Sequence, residues 1–73
     1  ETDSQKRMQT IENQVATDAV TQYGIAKRRG TAMDACLQAG LVAAAYLQAK
    51  DEGHYQQWKA VERADCRTAG VER

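Results

Sequence analysis

The sequence predicts an all-α fold of three helices, and three observations support this class. Proline is absent, and most of the 73 residues are good helix formers such as Ala, Gln, Glu, Lys and Arg. No segment alternates β-branched apolar residues with polar ones, as a half-buried strand would. Glycines and capping residues interrupt the pattern at two places, which divides the chain into three segments. We therefore expect residues 1–73 to form a single small helical domain.

The first helix is predicted over about residues 4–29. At 100° per residue its apolar positions fall in one stripe, typical of a helix with one buried face. The stripe contains Met8, Ile11, Val15, Ala19, Tyr23 and Ala26. The helix ends in Lys27, Arg28 and Arg29, three cations that suit the negative end of a helix dipole.

The second helix is predicted over about residues 32–50, directly after a tight turn. Gly30 can close the first helix, and Thr31 can cap the second, with Asp34 completing a capping box. Most of its circumference is apolar, which indicates a central position. We assign to its buried side Ala32, Cys36, Gly40, Ala43 and Leu47, extended by Met33, Leu37, Leu41 and Ala44.

The third helix is predicted over about residues 52–68, after a softer break at residues 50–53. Gly53 could equally close the second helix, so this boundary is open by two or three residues. His54, Tyr55, Trp58 and Val61 would share its apolar side. We expect helices 2 and 3 to form an antiparallel hairpin, with the longer N-terminal helix packed across it.

A disulfide between Cys36 and Cys66 is the most specific prediction. In a hairpin that turns at Asp51, each cysteine lies 15 residues from the turn, so the two thiols come level. Small residues surround Cys36, as the short Cα–Cα distance of a disulfide requires. Closing this loop should contribute about 3–4 kcal/mol, which a core with 16 large apolar side chains needs. Two buried free thiols are the alternative.

A disulfide implies an oxidising compartment, so we expect a periplasmic or secreted protein. The chain begins Glu1-Thr2 without Met, as it would after removal of a signal peptide. Trimming of the chain explains the same start.

No catalytic, cofactor-binding or metal-binding residues are predicted, so we expect no enzyme and no cofactor. His54 is the single histidine, and the nearby Asp51 and Glu52 offer no second His or Cys in helical register. Straight helices would hold it about 27 Å from Cys36 and about 18 Å from Cys66, too far for a Cys–His pair.

The partner classes are limited by charge. Ten cations balance ten anions, so the net charge is zero and nucleic acid is not the expected partner. The spacing of Ala49 and Gly53 resembles a helix-turn-helix, but His54 and Lys59 occupy positions that must be apolar in that motif. The longest apolar run, residues 39–47, is too short to span a membrane.

A surface strip on helix 2 is the candidate partner contact, because helices 1 and 3 can cover only two sides of it. The strip contains Ala35, Ala39, Val42 and Tyr46. Its alanines could also face solvent without any role. A related possibility is that helix 1 swings away from the hairpin and pairs with a second subunit.

The sequence therefore favours a small exported helical module, without catalysis, that binds another protein or binds itself as a homodimer. A concrete version is an accessory, exclusion, immunity or inhibitor factor of the bacterial cell envelope. The alternative is a cytosolic DNA-binding or regulatory helical protein with reduced thiols.

Overall fold

The computed structural model describes residues 3–71 and confirms the all-α class. It contains α1 (Asp3–Arg29), α2 (Ala32–Gln48) and α3 (Glu52–Thr68), with no strand in this range. The start of the chain, on which the expectation of a removed signal peptide depends, lies outside the described residues. The helices form an elongated arrangement whose Cα atoms extend 45 × 22 × 12 Å. Helix α2 is central and packs against both of the other helices.

The turn between α1 and α2 has the predicted capping box. The Thr31 hydroxyl accepts a hydrogen bond from the Asp34 backbone, and the Asp34 carboxylate accepts one from the Thr31 backbone. The Gly30 amide donates to the Ala26 carbonyl. These bonds satisfy backbone groups that the helix ends would otherwise leave unpaired, so the two helices meet in a tight antiparallel turn.

The turn between α2 and α3 lies slightly earlier than expected. Helix α2 ends at Gln48 rather than near Lys50, which itself adopts a positive φ of 60°. Asp51 then caps α3, because its carboxylate accepts a hydrogen bond from the His54 backbone. Gly53 therefore lies inside the first turn of α3 and does not close α2.

Helices α2 and α3 form the predicted hairpin, with Cys36 and Cys66 joined by a disulfide. Their Cα atoms are 4.5 Å apart, and both side chains are fully buried. The core beside the bridge consists almost entirely of small side chains. Its buried apolar residues in α2 are Ala35, Cys36, Ala39, Val42 and Ala43. Small side chains let the helix axes approach closely enough for a disulfide.

The predicted strip on helix 2 is part of this core, which corrects the prediction that it lacks a partner within the chain. Ala35, Ala39 and Val42 are buried, and Tyr46 is half-buried against the His54 ring. We expected the large side chains of α2 to face inward. The small ones do so instead, because two helices must fit against α2 at short range.

The stripe on α1 is buried only in part, which corrects a second prediction. Met8, Ile11 and Val15 are exposed, whereas Tyr23 is half-buried and the fully buried residue of α1 is Ala16. Helix α1 has 27 residues and α2 has 17. At 1.5 Å per residue α1 is about 15 Å longer, so its first turns extend past the end of α2. Val15 is exposed beside the buried Ala16, so the side of α1 that faces α2 is also rotated away from the predicted stripe.

Candidate interaction surface

The outer face of α2 is the main exposed apolar surface of the hairpin. We define it as Met33, Leu37, Leu41, Ala44 and Leu47. The four large side chains of this face are 41–58% exposed, and Ala44 is exposed as well. At 100° per residue the five positions lie within an arc of about 120°. A contiguous apolar arc of this kind marks a contact site more often than scattered single residues do.

The first half of α1 carries a second exposed apolar group. Met8 and Ile11 are more than half exposed, as is Val15 one turn further along. A shallow depression between Met8 and the end of α2 is lined by polar residues together with Ala49 and Lys50. This group is therefore separate from the outer face of α2.

Half of the 16 large apolar side chains are thus exposed. The accessible surface of the chain is 5227 Å². A compact monomer of 8.1 kDa would expose about 4,500 Å². The surplus of about 700 Å² reflects the elongated shape of the fold. Eight large apolar side chains belong to this exposed surface.

A buried polar cluster joins α1 to α3. Asp65 is buried, and its carboxylate accepts a 2.6 Å hydrogen bond from the Tyr23 hydroxyl and a 2.8 Å bond from Lys27 Nζ. Burial raises the pKa of Asp65, but the bonds from Lys27 and Tyr23 and the Lys27 charge outweigh it and hold the pKa below its usual value. The pKa of Tyr23 is raised, first by burial and then by its bond to Asp65. The Asp65 carboxylate is thus paired with both Tyr23 and Lys27, which suits a structural role.

A second buried carboxylate, Glu62, lies between α2 and α3. It accepts a 2.7 Å hydrogen bond from Lys59 Nζ, one turn earlier in α3. A Cβ atom added at Gly40 would be 2.7 Å from Glu62 Oε2, so the glycine is what admits this side chain. The burial of Glu62 depends on the small residue opposite, which no pattern within α3 reveals.

The single histidine is held at the α2–α3 turn. His54 Nδ1 lies 2.7 Å from Asp51 Oδ2, and its ring stacks on Tyr46 with a centroid distance of 4.7 Å. The pKa of Asp51 is lowered, chiefly by the hydrogen bond from the His54 backbone and then by the one from its side chain. These contacts fasten the turn and give His54 a structural role.

The predicted site residues thus separate into two groups. The structure brings Cys36 and Cys66 together as a disulfide and leaves no free cysteine. The predicted contact strip is in the core, while the exposed apolar residues are those that we had assigned to the core. Side-chain size could have identified these exposed residues from the sequence. Tightly packed helices favour alanine at their contacts, so the larger side chains of α2 remain outside.

Within residues 3–71 no three His, Cys, Asp or Glu side chains are grouped so that they could hold a metal ion. In the same range no helix has both the length and the apolar character needed to cross a membrane.

Comparison of this chain with protein-family models, with curated proteins and with solved structures gave no match.

Proposed function

We propose that this chain is a small exported helical interaction module, without catalysis, that binds another protein or a second copy of itself. The outer face of α2 is the surface that makes the contact. The observation that carries this proposal is the inverted burial of α2: its small residues form the core while Met33, Leu37 and Leu41 remain in water. Burying about 400 Å² of apolar side chain would supply the driving force for association.

The disulfide supports the exported part of the proposal. Disulfides persist in oxidising compartments and are rare in the cytosol. The bridge joins the second turn of α2 to the last turn of α3, at the end of the hairpin away from its turn, and both sulfur-bearing side chains are fully buried. A fold that relies on this bond is best suited to the periplasm or the extracellular space.

The non-catalytic part is supported by how the reactive groups are used. Both cysteines are consumed by the disulfide, and a bonded cysteine is no nucleophile. His54 is bound to Asp51 and stacked on Tyr46, and Asp65 is bound to two partners. Each of these groups has a structural partner, whereas the apolar outer face of α2 is exposed in the part of the chain that the structure describes.

In its concrete form, the proposal is an accessory, exclusion, immunity or inhibitor factor of the bacterial cell envelope. Such factors act by occupying a surface of another protein and need no chemistry of their own. The small size, the bridge and the exposed face of α2 suit that role.

The test is a binding comparison on material isolated from the compartment in which the chain is found. The chain is chemically cross-linked in place, purified, and its covalent adducts are identified by mass spectrometry. We expect Leu37→Asp to abolish the adducts, because a carboxylate would be buried in the contact. Ile25→Asp is the control, since Ile25 is 40% exposed and lies on α1, outside this face.

Absence of any adduct with the unaltered chain, or equal loss in both variants, would overturn the proposed surface. The mass of the natively isolated protein tests the compartment. The bridge lowers the mass by about 2 Da relative to the reduced chain, whereas two alkylatable thiols would favour the cytosolic regulatory alternative.

A further inference from the structure

We propose that the partner of the outer face of α2 is the same face of a second copy, with the two helices antiparallel about a two-fold axis near Leu41. This inference rests on the proposed function, because it names the occupant of that surface. Two-fold dimers use one self-complementary patch on both subunits, so the patch must match itself in shape and in charge.

The shape of the face matches itself in this arrangement. Leu41 meets its own counterpart at the axis, and Leu37 comes level with Ala44 of the second copy to within about one residue. Large side chains therefore face small ones on either side of the axis. Met33 comes level with Ala49 of the second copy, at the end of α2. A hollow of about 290 Å³ opens there and is lined by Leu47, Lys50, Asp51, Glu52 and Tyr55.

The charges at the two ends of α2 are complementary. Arg28 and Arg29 are exposed in the last turn of α1, at the end of the hairpin where α2 begins, and Asp51 and Glu52 follow the end of α2. Antiparallel packing places the basic end of each copy against the acidic end of the other, whereas parallel packing would oppose like charges.

The interior of the face raises no electrostatic obstacle. Asp34 is the single charged residue of α2. In the proposed dimer it comes within about 3 Å, along the helix axis, of the level of Lys50 in the second copy. The helix dipoles are also opposed, so each N-terminus lies beside a C-terminus.

The area of the face places the dimer among small, transient interfaces. With its polar rim, the contact would bury about 1,000 Å² in total, at the low end for specific interfaces. We therefore expect a reversible dimer with a dissociation constant of about 10–500 μM.

Sedimentation equilibrium from 10 μM to 1 mM, concentrations that bracket this range, is the first test. We expect a monomer–dimer equilibrium for the unaltered chain and at least tenfold weaker association for Leu41→Asp, since two carboxylates would meet at the axis. Ile11→Asp is the matched control, because the two residues are 58% and 60% exposed and lie on different helices. It should leave the dissociation constant unchanged. Circular dichroism of both variants is the check on folding, and we expect both to retain their helices.

Zero-length carbodiimide cross-linking tests the orientation. A mixture of ¹⁴N- and ¹⁵N-labelled chains should give an Asp34–Lys50 amide that joins one light and one heavy peptide. Within one chain these residues are about 24 Å apart along α2, so the mixed link can arise only between copies.

The outcomes separate this inference from the function on which it rests. A monomer at every concentration, or absence of the mixed link, overturns the dimer. If Leu37→Asp still removes adducts with a different protein, the interaction module stands and its partner is not a second copy. Weakening by Ile11→Asp alone would place the dimer contact on α1. If neither self-association nor adducts occur, both proposals are wrong.

Discussion

The Tyr23 hydroxyl of α1 donates a hydrogen bond of 2.6 Å to Asp65 of α3, a residue 42 positions later in the chain. Lys27 donates to the other oxygen of the same carboxylate. The backbones of α1 and α3 do not approach each other closely within residues 3–71. These side chains therefore connect the two outer helices across α2. The Tyr23 ring also packs edge-on against Trp58 of α3, with ring centroids 4.9 Å apart, so polar and aromatic contacts together hold α1 in its register.

The Asp65 cluster predicts a loss of stability in acid. The folded-state pKa of Asp65 lies below its unfolded value, so its contribution is present above pH 5 and is lost as the pH falls through the folded-state pKa. We expect the urea midpoint to fall between about pH 5 and pH 3. At pH 7, Asp65→Asn should cost about 1.5–3 kcal/mol, because it removes a charged hydrogen-bond acceptor.

The acid dependence of Asp65→Asn is the control for this prediction. The stability of the variant should depend less steeply on pH than that of the unaltered chain. The pH dependence that remains is due to Asp51, whose pKa is also lowered. Parallel profiles for the two proteins would show that Asp65 is not responsible.

The disulfide should supply a large share of the stability. A Cys36→Ala, Cys66→Ala double variant should lower the free energy of unfolding by about 3–4 kcal/mol, since the bridge closes a long loop of the unfolded chain. Urea unfolding followed by circular dichroism measures this. A loss below about 1 kcal/mol would mean that packing alone maintains the hairpin.

Two alanines of α2 test which face is the core. Ala39 is fully buried and Ala44 is exposed, although both are alanines in the middle of the same helix. Ala39→Asp should unfold the domain, because a charge would be buried without a partner. Ala44→Asp should retain the helicity and change the stability by less than about 1 kcal/mol. If Ala44→Asp unfolded the domain and Ala39→Asp did not, the predicted strip that contains Ala39 would be a free surface.

Two helical glycines test the close approach of α3. Gly40→Ala should gain less stability than Gly53→Ala or lose some, because the new Cβ would be 2.7 Å from the buried Glu62 carboxylate, which must shift. Gly53→Ala should stabilise α3 by about 0.5–1 kcal/mol through helix propensity alone, since its nearest neighbour would be 3.9 Å away. Chemical denaturation measures both. An equal gain in the two variants would mean that Glu62 moves aside without cost.

Much of the fold could be predicted from the sequence because its signals are local. The capping box at Thr31 and Asp34 is local, and the equal distances of Cys36 and Cys66 from the turn require only helical geometry. These features predicted the helices, the hairpin and the bridge. The end of α2 was placed two residues late, since nothing in the sequence shows that Lys50 adopts a positive φ.

The orientation of α2 could not be predicted, because periodicity shows that a helix is apolar on all sides but not which side is covered. Hydrophobicity ranks Leu37 above Ala39, whereas close helix packing and a disulfide require Ala39 inside. The burial of Glu62 likewise depends on Gly40 in another helix. Each of these outcomes is decided by tertiary contact.

The central claim, that the outer face of α2 is a contact surface, is tested most directly by the two methionines. Met33 lies on that face and Met8 lies on the first turns of α1, and both are exposed in the isolated chain. Mild peroxide converts exposed methionine to the sulfoxide, which mass spectrometry locates. We expect comparable oxidation of both in the dilute purified chain, and at least fivefold protection of Met33, but not of Met8, in natively isolated cross-linked material. Equal oxidation of Met33 and Met8 in that material would contradict the account.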